Sequence, residues 1–414
     1  ITIQQLESGL DDAICAKNRD QIIFFNADQL LEGAARGNED DRLGQFITGF
    51  LTRHKESLVF LDEIKLNKPG YLDSGWYSRD AYAGGLSSFN DIFVRNENFR
   101  YLFNRYISLA EGCQGGRGSR YTKKDVSRYL LGIGTGPLFI HDALCTPLRT
   151  SSRRAFWSSI IEAEECVYKE NGSSMYKEYD LEESGESNYF AANSQYIAVM
   201  SPIGGAVTEF DYKRFAINLL DTRVPFDKSF GDVHLRKSFS DIVIANGVRY
   251  STEGMLFDAE VIDKKRSEFI FTLSDPSLPF TIIKHYKLRS STFIVDVTLI
   301  ADDDKVLDGT YESEVFLEGT GFDLMGVEMK RLMLTDRAIK AKTVKYSSKT
   351  PQMQVVFSST EQFSLSEEHV FQGQYTAVAY EEFCLYKRLL FTFPFHAESG
   401  KTRDFRIVLR ACEL

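Results

Sequence analysis

The spacing of apolar residues changes along the chain, and each change marks a different kind of segment. Up to about position 66, helical and strand patterns alternate. Thr2-x-x-Gln5 has the form of a capping box that opens a helix running to Ala16. The run IIFF at 22–25 suits a short, fully buried parallel strand. Leu43, Phe46, Ile47, Phe50 and Leu51 then recur at helical spacing and predict an amphipathic helix. SLVFL at 57–61 is a second buried strand, ending in Asp62 and Glu63. A β/α barrel needs about eight such units. Two units therefore read as an incomplete barrel remnant.

From 67 to 187 the pattern is helical. A loop rich in Gly and Tyr precedes a helix expected near 91–111, with Phe99, Leu102, Phe103, Tyr106 and Ile107 as its apolar face. The GCQGGRG stretch at 112–118 lacks the spacing of a phosphate-binding loop and follows a helix rather than a strand. Helices are expected from about 125 and over 152–167, and the acidic stretch YDLEESGESN reads as a linker.

Beyond 188 the chain is almost all strand. Runs rich in Val, Ile, Phe and Tyr fall at 197–200, 206–212, 215–220, 242–245, 280–288 and 293–299. Further runs fall at 312–317, 354–358, 375–379, 389–395 and 403–409. So many strands over some 225 positions imply a large two-sheet antiparallel sandwich. The expected class is α+β and multidomain: barrel remnant 1–66, helical domain 67–187, sandwich 188–414.

Composition adds exclusions. With 414 residues the chain can bury more than one core. A net charge of −10 argues against nucleic acid and anionic membrane as partners, since both would select a basic face. Six cysteines show neither C-x-x-C pairing nor histidine at metal spacing, so no metal or other cofactor is expected. They read as thiols of a reducing compartment, which points to the cytoplasm. No apolar stretch has membrane-spanning length.

Asn26, Ala27 and Asp28 follow the 22–25 strand, the place where β/α barrels keep catalytic groups. The run resembles the conserved strand of glycoside hydrolase family 57 that leads into Asp-x-Glu-x-Phe-Gly, whose Asp is the general acid/base. On that pattern Asn26 takes the Asp position and Asp28 the Glu position. GPLFIHDALCTPLRTSSRRAFWSSIIEAE at 136–164 is similar to a second stretch of the family. Its helical half matches through Arg153, Ala155, Trp157, Ile161, Ala163 and Glu164. In its other half His141 matches a substrate-side residue, while Pro137 and Ile140 replace sugar-contacting ones. SPIGGAVTEFD at 201–211, FAINLLDTR at 215–223 and RKSFSD at 236–241 resemble the opening of the family's C-terminal domain. These matches keep the family order over nearly the whole chain.

The resemblance implies a sandwich of the galactose-mutarotase-like supersandwich type. It also implies an α-1,4-glucan or maltooligosaccharide ligand, as for the family's 4-α-glucanotransferases and α-amylases. The nucleophilic Glu belongs to an N-terminal barrel segment expected upstream of Ile1. An amide at Asn26 has no proton to give a glycosidic oxygen. The chain is thus expected to be silent by itself and to bind glucan or scaffold a barrel half. The enzyme alternative makes Asp28 the acid, with Asp62 or Glu63 as weaker candidates, once an upstream Glu is joined. A protein-interaction scaffold without sugar affinity is the third reading. Trp76 and Tyr77, with Tyr71 and Tyr82, offer rings for sugar stacking. An epimerase site would need histidine and glutamate together, such as His234 or His285 with Glu312 or Glu314.

Overall fold

The computed structural model describes residues 52, 97–115, 126–130, 149–171, 175–223, 236–319, 322–324, 339–375 and 380–414. Apart from residue 52, the expected barrel remnant lies outside these residues, as do the Trp- and Tyr-bearing loop and positions 376–379.

Two long helices are described, α1 (Glu97–Gly115) and α2 (Thr150–Asn171). The buried stripe of α1 differs from the one its apolar residues predict. Phe99 and Leu102 are buried as expected and are joined by Asn98, Tyr101, Arg105 and Leu109, whereas Phe103, Tyr106 and Ile107 are only half-buried. The reason is electrostatic, because Arg105 faces two buried carboxylates of other elements. Helix α2 buries Arg153, Trp157, Ile161, Ala163 and Glu164 and leaves Ala155 exposed.

Strands β1 (Met175–Tyr179), β2 (Asn188–Ala192), β3 (Tyr196–Ser201), β4 (Ala206–Tyr212) and β5 (Ile217–Asn218) form a five-stranded antiparallel sheet in sequence order. The acidic stretch expected as a linker is instead the β1–β2 hairpin connection. Asp180 accepts from the backbone N–H groups of Ser184 and Gly185 there, and Asn188 accepts from that of Leu181. The strand expected at 215–220 is broken by a 3₁₀ turn over Lys213–Phe215 and by Ala216 at φ 49°, leaving only β5.

Twelve strands follow in a second antiparallel sheet. They are β6 (Ser240–Ala245), β7 (Val248–Ser251), β8 (Asp258–Asp263), β9 (Glu268–Ser274), β10 (Phe280–Leu288), β11 (Phe293–Ala301), β12 (Leu307–Glu318), β13 (Asp323–Leu324), β14 (Ile339–Lys349), β15 (Gln352–Tyr375), β16 (Tyr380–Ala397) and β17 (Thr402–Glu413). The main order is β7-β6-β12-β16-β15-β17-β11-β10-β9-β8, with β14 also paired to β15. The first part of β15 pairs with β17 and its second part with β16, so one long strand carries the sheet from one layer to the other.

The two layers face each other. Tyr311 of β12 stacks on Phe405 of β17 at 4.5 Å between ring centres. Lys284 of β10 reaches Asp241 of β6 at 2.9 Å. The inward positions of β10 and β11 alternate strictly with half-buried ones, as the period of two requires. The small sheet lies between sandwich and helices and is covered on both sides, so every residue of β3 and β4 is buried. Phe210 meets Phe293 on one side, while Trp157 and Tyr101 share a core with Ile197 and Val199 on the other. The result is a mostly antiparallel β-sandwich with few helices. Among the described residues no helix is long and apolar enough to cross a membrane.

Candidate functional site

Asn26, Asp28, Trp76, Tyr77 and His141 lie outside the described residues, as do Asp62, Glu63 and His234. Of the epimerase group, His285 and the pair Glu312/Glu314 are described, and the fold keeps them apart. His285 points outward from β10 and pairs with Glu268 at 3.6 Å, whereas both glutamates point outward from β12 in the opposite layer.

Residues from the stretches 136–164, 201–211 and 215–223 meet Tyr101 and Arg105 of α1 at the junction between helices and small sheet. Between its partners in β3 and β4 the register shifts, leaving Thr208 as an extra residue. Thr208 and Glu209 thereby both reach Tyr101 of α1, whose hydroxyl donates to Glu209 at 3.1 Å. Arg105 grips Glu209 with two hydrogen bonds, at 2.8 and 2.9 Å, and donates a third to Glu164 of α2 at 2.7 Å. Arg153 pairs with Asp221 at 2.9 Å. Arg223 lies 3.9 Å above the Tyr101 ring and donates to the Thr208 carbonyl. All of these groups are buried.

Glu164, Glu209 and Asp211 lie within 4.8 Å of one another, close enough to share a cation. Arg105 and Arg223 already supply two positive charges against three carboxyls, so one proton completes the balance. Of the three carboxyls, Asp211 is the one whose surroundings most favour the neutral form. Neither of its oxygens has a hydrogen-bond donor. Burial, then the neighbouring Glu209 charge, pushes its carboxyl well above the ordinary range. Burial also acts to raise Glu209, but Arg105 outweighs it and holds that carboxylate low. The cluster is a charge-balanced fastening of helix to sheet.

An open groove lies on the outer face of the layer β7-β6-β12-β16-β15. It consists of two adjoining hollows of about 320 and 290 Å³ that share Arg236, Ser240, Glu253, Glu314 and Phe316. The first is walled by Glu97 and Arg100 of α1, the β1–β2 connection at Glu182–Ser184, and Lys237. The second is lined by Arg249, Ser251, Val370, Tyr386 and Arg388. Strand register sets the pairings. Arg388 stands across from Glu368 on β15 and Phe316 on β12; it donates to Glu314 and, at 3.2 Å, to Glu368. Arg236 pairs with Glu253 at 3.2 Å. Lys237 donates to Glu182 at 2.6 Å and to Ser201 at 3.0 Å. Burial raises Glu312 beside them, against the pull of Arg249 and Arg388. Phe316 and Tyr386 meet edge to face at 5.4 Å in the floor.

Sequence reasoning reached only part of this groove. Arg236, Lys237 and Ser240 belong to the RKSFSD run, and Glu312 and Glu314 were candidates for other chemistry. Arg388, Tyr386 and Arg249 have no motif; their one signal is a polar or aromatic residue at the outward positions of a strand.

By sequence, no protein-family model and no curated protein matches the chain. By structure, the chain is similar to 4-α-glucanotransferase from Thermococcus litoralis, with a TM-score of 0.59 at 13% identity. That likeness covers 89% of this chain and 55% of the other, so the chain spans about half the length of this neighbour. A galactose mutarotase-like protein from Clostridium acetobutylicum aligns with a TM-score of 0.41 at 10% identity, over 58% of this chain and 99% of that one.

Proposed function

We propose that this chain is the glucan-binding, catalytically silent C-terminal part of a protein of the family-57 type. The observation that carries the reading is the shared fold, which takes in helices and sandwich together over 89% of the chain. The buried junction supports it, because Glu164, Glu209, Asp211 and Asp221 all belong to stretches that resemble the family. In this reading the chain divides into a barrel segment over 1–66, a helical domain over 67–187 and a sandwich of the galactose-mutarotase-like type over 188–414. The ligand is an α-1,4-glucan or a maltooligosaccharide.

Silence follows from Asn26, whose amide cannot donate the proton a leaving glycosidic oxygen needs. A retaining glycosidase also needs a second carboxylate as nucleophile. The chain incubated with maltoheptaose at high protein concentration is expected to give neither shorter nor longer sugars by chromatography. Steady accumulation of either product contradicts the proposal and restores Asp28 as a candidate acid.

A further inference from the structure

We infer that the two adjoining hollows form one furrow for a neutral oligosaccharide of at least two rings, with the couples Glu314–Arg388 and Arg236–Glu253 contacting its hydroxyls over a floor of Phe316 and Tyr386. This rests on the glucan-binding reading and adds to it a location and the groups that contact the sugar.

Charge excludes the alternatives. The first hollow presents five carboxylates and three cationic groups, so an anionic ligand meets net repulsion there. In the second hollow Arg236, Arg249 and Arg388 outnumber the lining carboxylates Glu253 and Glu314, but Arg388 is held by Glu314 and Glu368, Arg236 by Glu253, and Arg249 lies beside the Glu312 carboxyl, so the cations there are already engaged. A metal cation is equally disfavoured, since Arg388 stands against Glu314 and Arg236 against Glu253. An apolar ligand would strip water from these charges without replacing its hydrogen bonds.

A sugar hydroxyl suits such couples, because it donates to the carboxylate and accepts from the guanidinium in one contact. Phe316 and Tyr386, 3% and 8% exposed, close the floor and offer a sugar only a narrow apolar edge, so the couples above them carry most of the contact. Each hollow is near the lower end of ligand-site volumes, roughly 300 Å³. Their five shared residues make them continuous, so a chain of rings fills what one ring leaves empty. The couples are assembled without ligand, which lowers the ordering cost of binding.

The test is calorimetric titration of the whole chain with maltotetraose, glucose and glucose 1-phosphate. The variants are Glu314→Gln, Arg388→Met and Ser251→Trp, each checked for folding by circular dichroism. Ser251 is exposed at the edge of the second hollow, so its replacement by tryptophan obstructs the furrow even if the charge variants fail to fold. Maltotetraose is expected to bind about tenfold or more tighter than glucose, and glucose 1-phosphate no tighter than glucose. Each folded variant is expected to lose roughly tenfold or more in maltotetraose affinity, as loss of a charged hydrogen bond predicts. Unchanged affinity in the folded variants overturns the location while leaving glucan binding intact. Tighter binding of the phosphate overturns the ligand class. Failure of the unaltered chain to bind maltotetraose removes both this inference and the reading beneath it.

Discussion

Asp211 is a carboxyl shut away from water, next to the Glu209 charge and with no donor for either oxygen. Its pKa is raised, chiefly by burial, so the folded chain releases this proton at higher pH than the unfolded chain, which ionises the group near pH 4. The proton therefore favours the folded state less and less as pH rises from about 4 toward the folded-state pKa. Asp211→Asn is close in shape and has no proton to lose. Its stability is expected to equal the parent's near pH 4 and to exceed it by pH 7, in urea unfolding at each pH. Parallel curves for the two proteins would mean that Asp211 is ionised in the fold. Glu209, held low by Arg105, has the opposite slope below about pH 4.5, and this variant leaves it in place.

At the scale of elements, backbone spacing does work that side-chain patterns do not reveal. A Cβ at Gly309 would lie 1.8 Å from the Ile244 carbonyl oxygen, so β12 could not keep its distance from β6. Gly309→Ala is expected to cost about 1–3 kcal/mol or more, as a lower unfolding midpoint in urea. An unchanged midpoint would mean that the two strands separate at no cost. The strands that sequence places well are those with one buried face. The run at 280–288 coincides with β10, and the run at 293–299 with all but the last two residues of β11. Strands β7, β8 and β14 lie toward sheet margins and expose much of their length, so they offer little apolar signal. Strand β9 does carry one, at Phe269, Phe271 and Leu273. The buried face of α1 keeps Phe99 and Leu102 of its apolar pattern and departs from the rest for a different reason. A buried arginine is invisible to hydrophobic periodicity, and only its partners on β4 and α2 explain it. The groove was illegible as a whole because its walls come from α1, the β1–β2 connection and five strands of the sandwich.

In the whole molecule, a small doubly covered sheet joins a pair of helices to a sandwich, and the furrow opens where the sandwich meets α1 and the β1–β2 connection. In fold, this arrangement is similar to the glucanotransferase over 89% of the chain. Arg105 and Tyr101 of α1, with Glu164, Glu209 and Thr208, hold this arrangement together, while the groove draws on Arg236 and Lys237 as well as on the Arg388 couples set by strand register. Glucan binding without turnover is the claim on which the account depends. Equilibrium titration of the chain with maltoheptaose tests it most directly, read by heat and by the sugar composition of the mixture afterwards. The account predicts saturable binding and recovery of maltoheptaose unaltered. Absence of heat up to the solubility limit of the sugar, or conversion of the sugar during the titration, would contradict it.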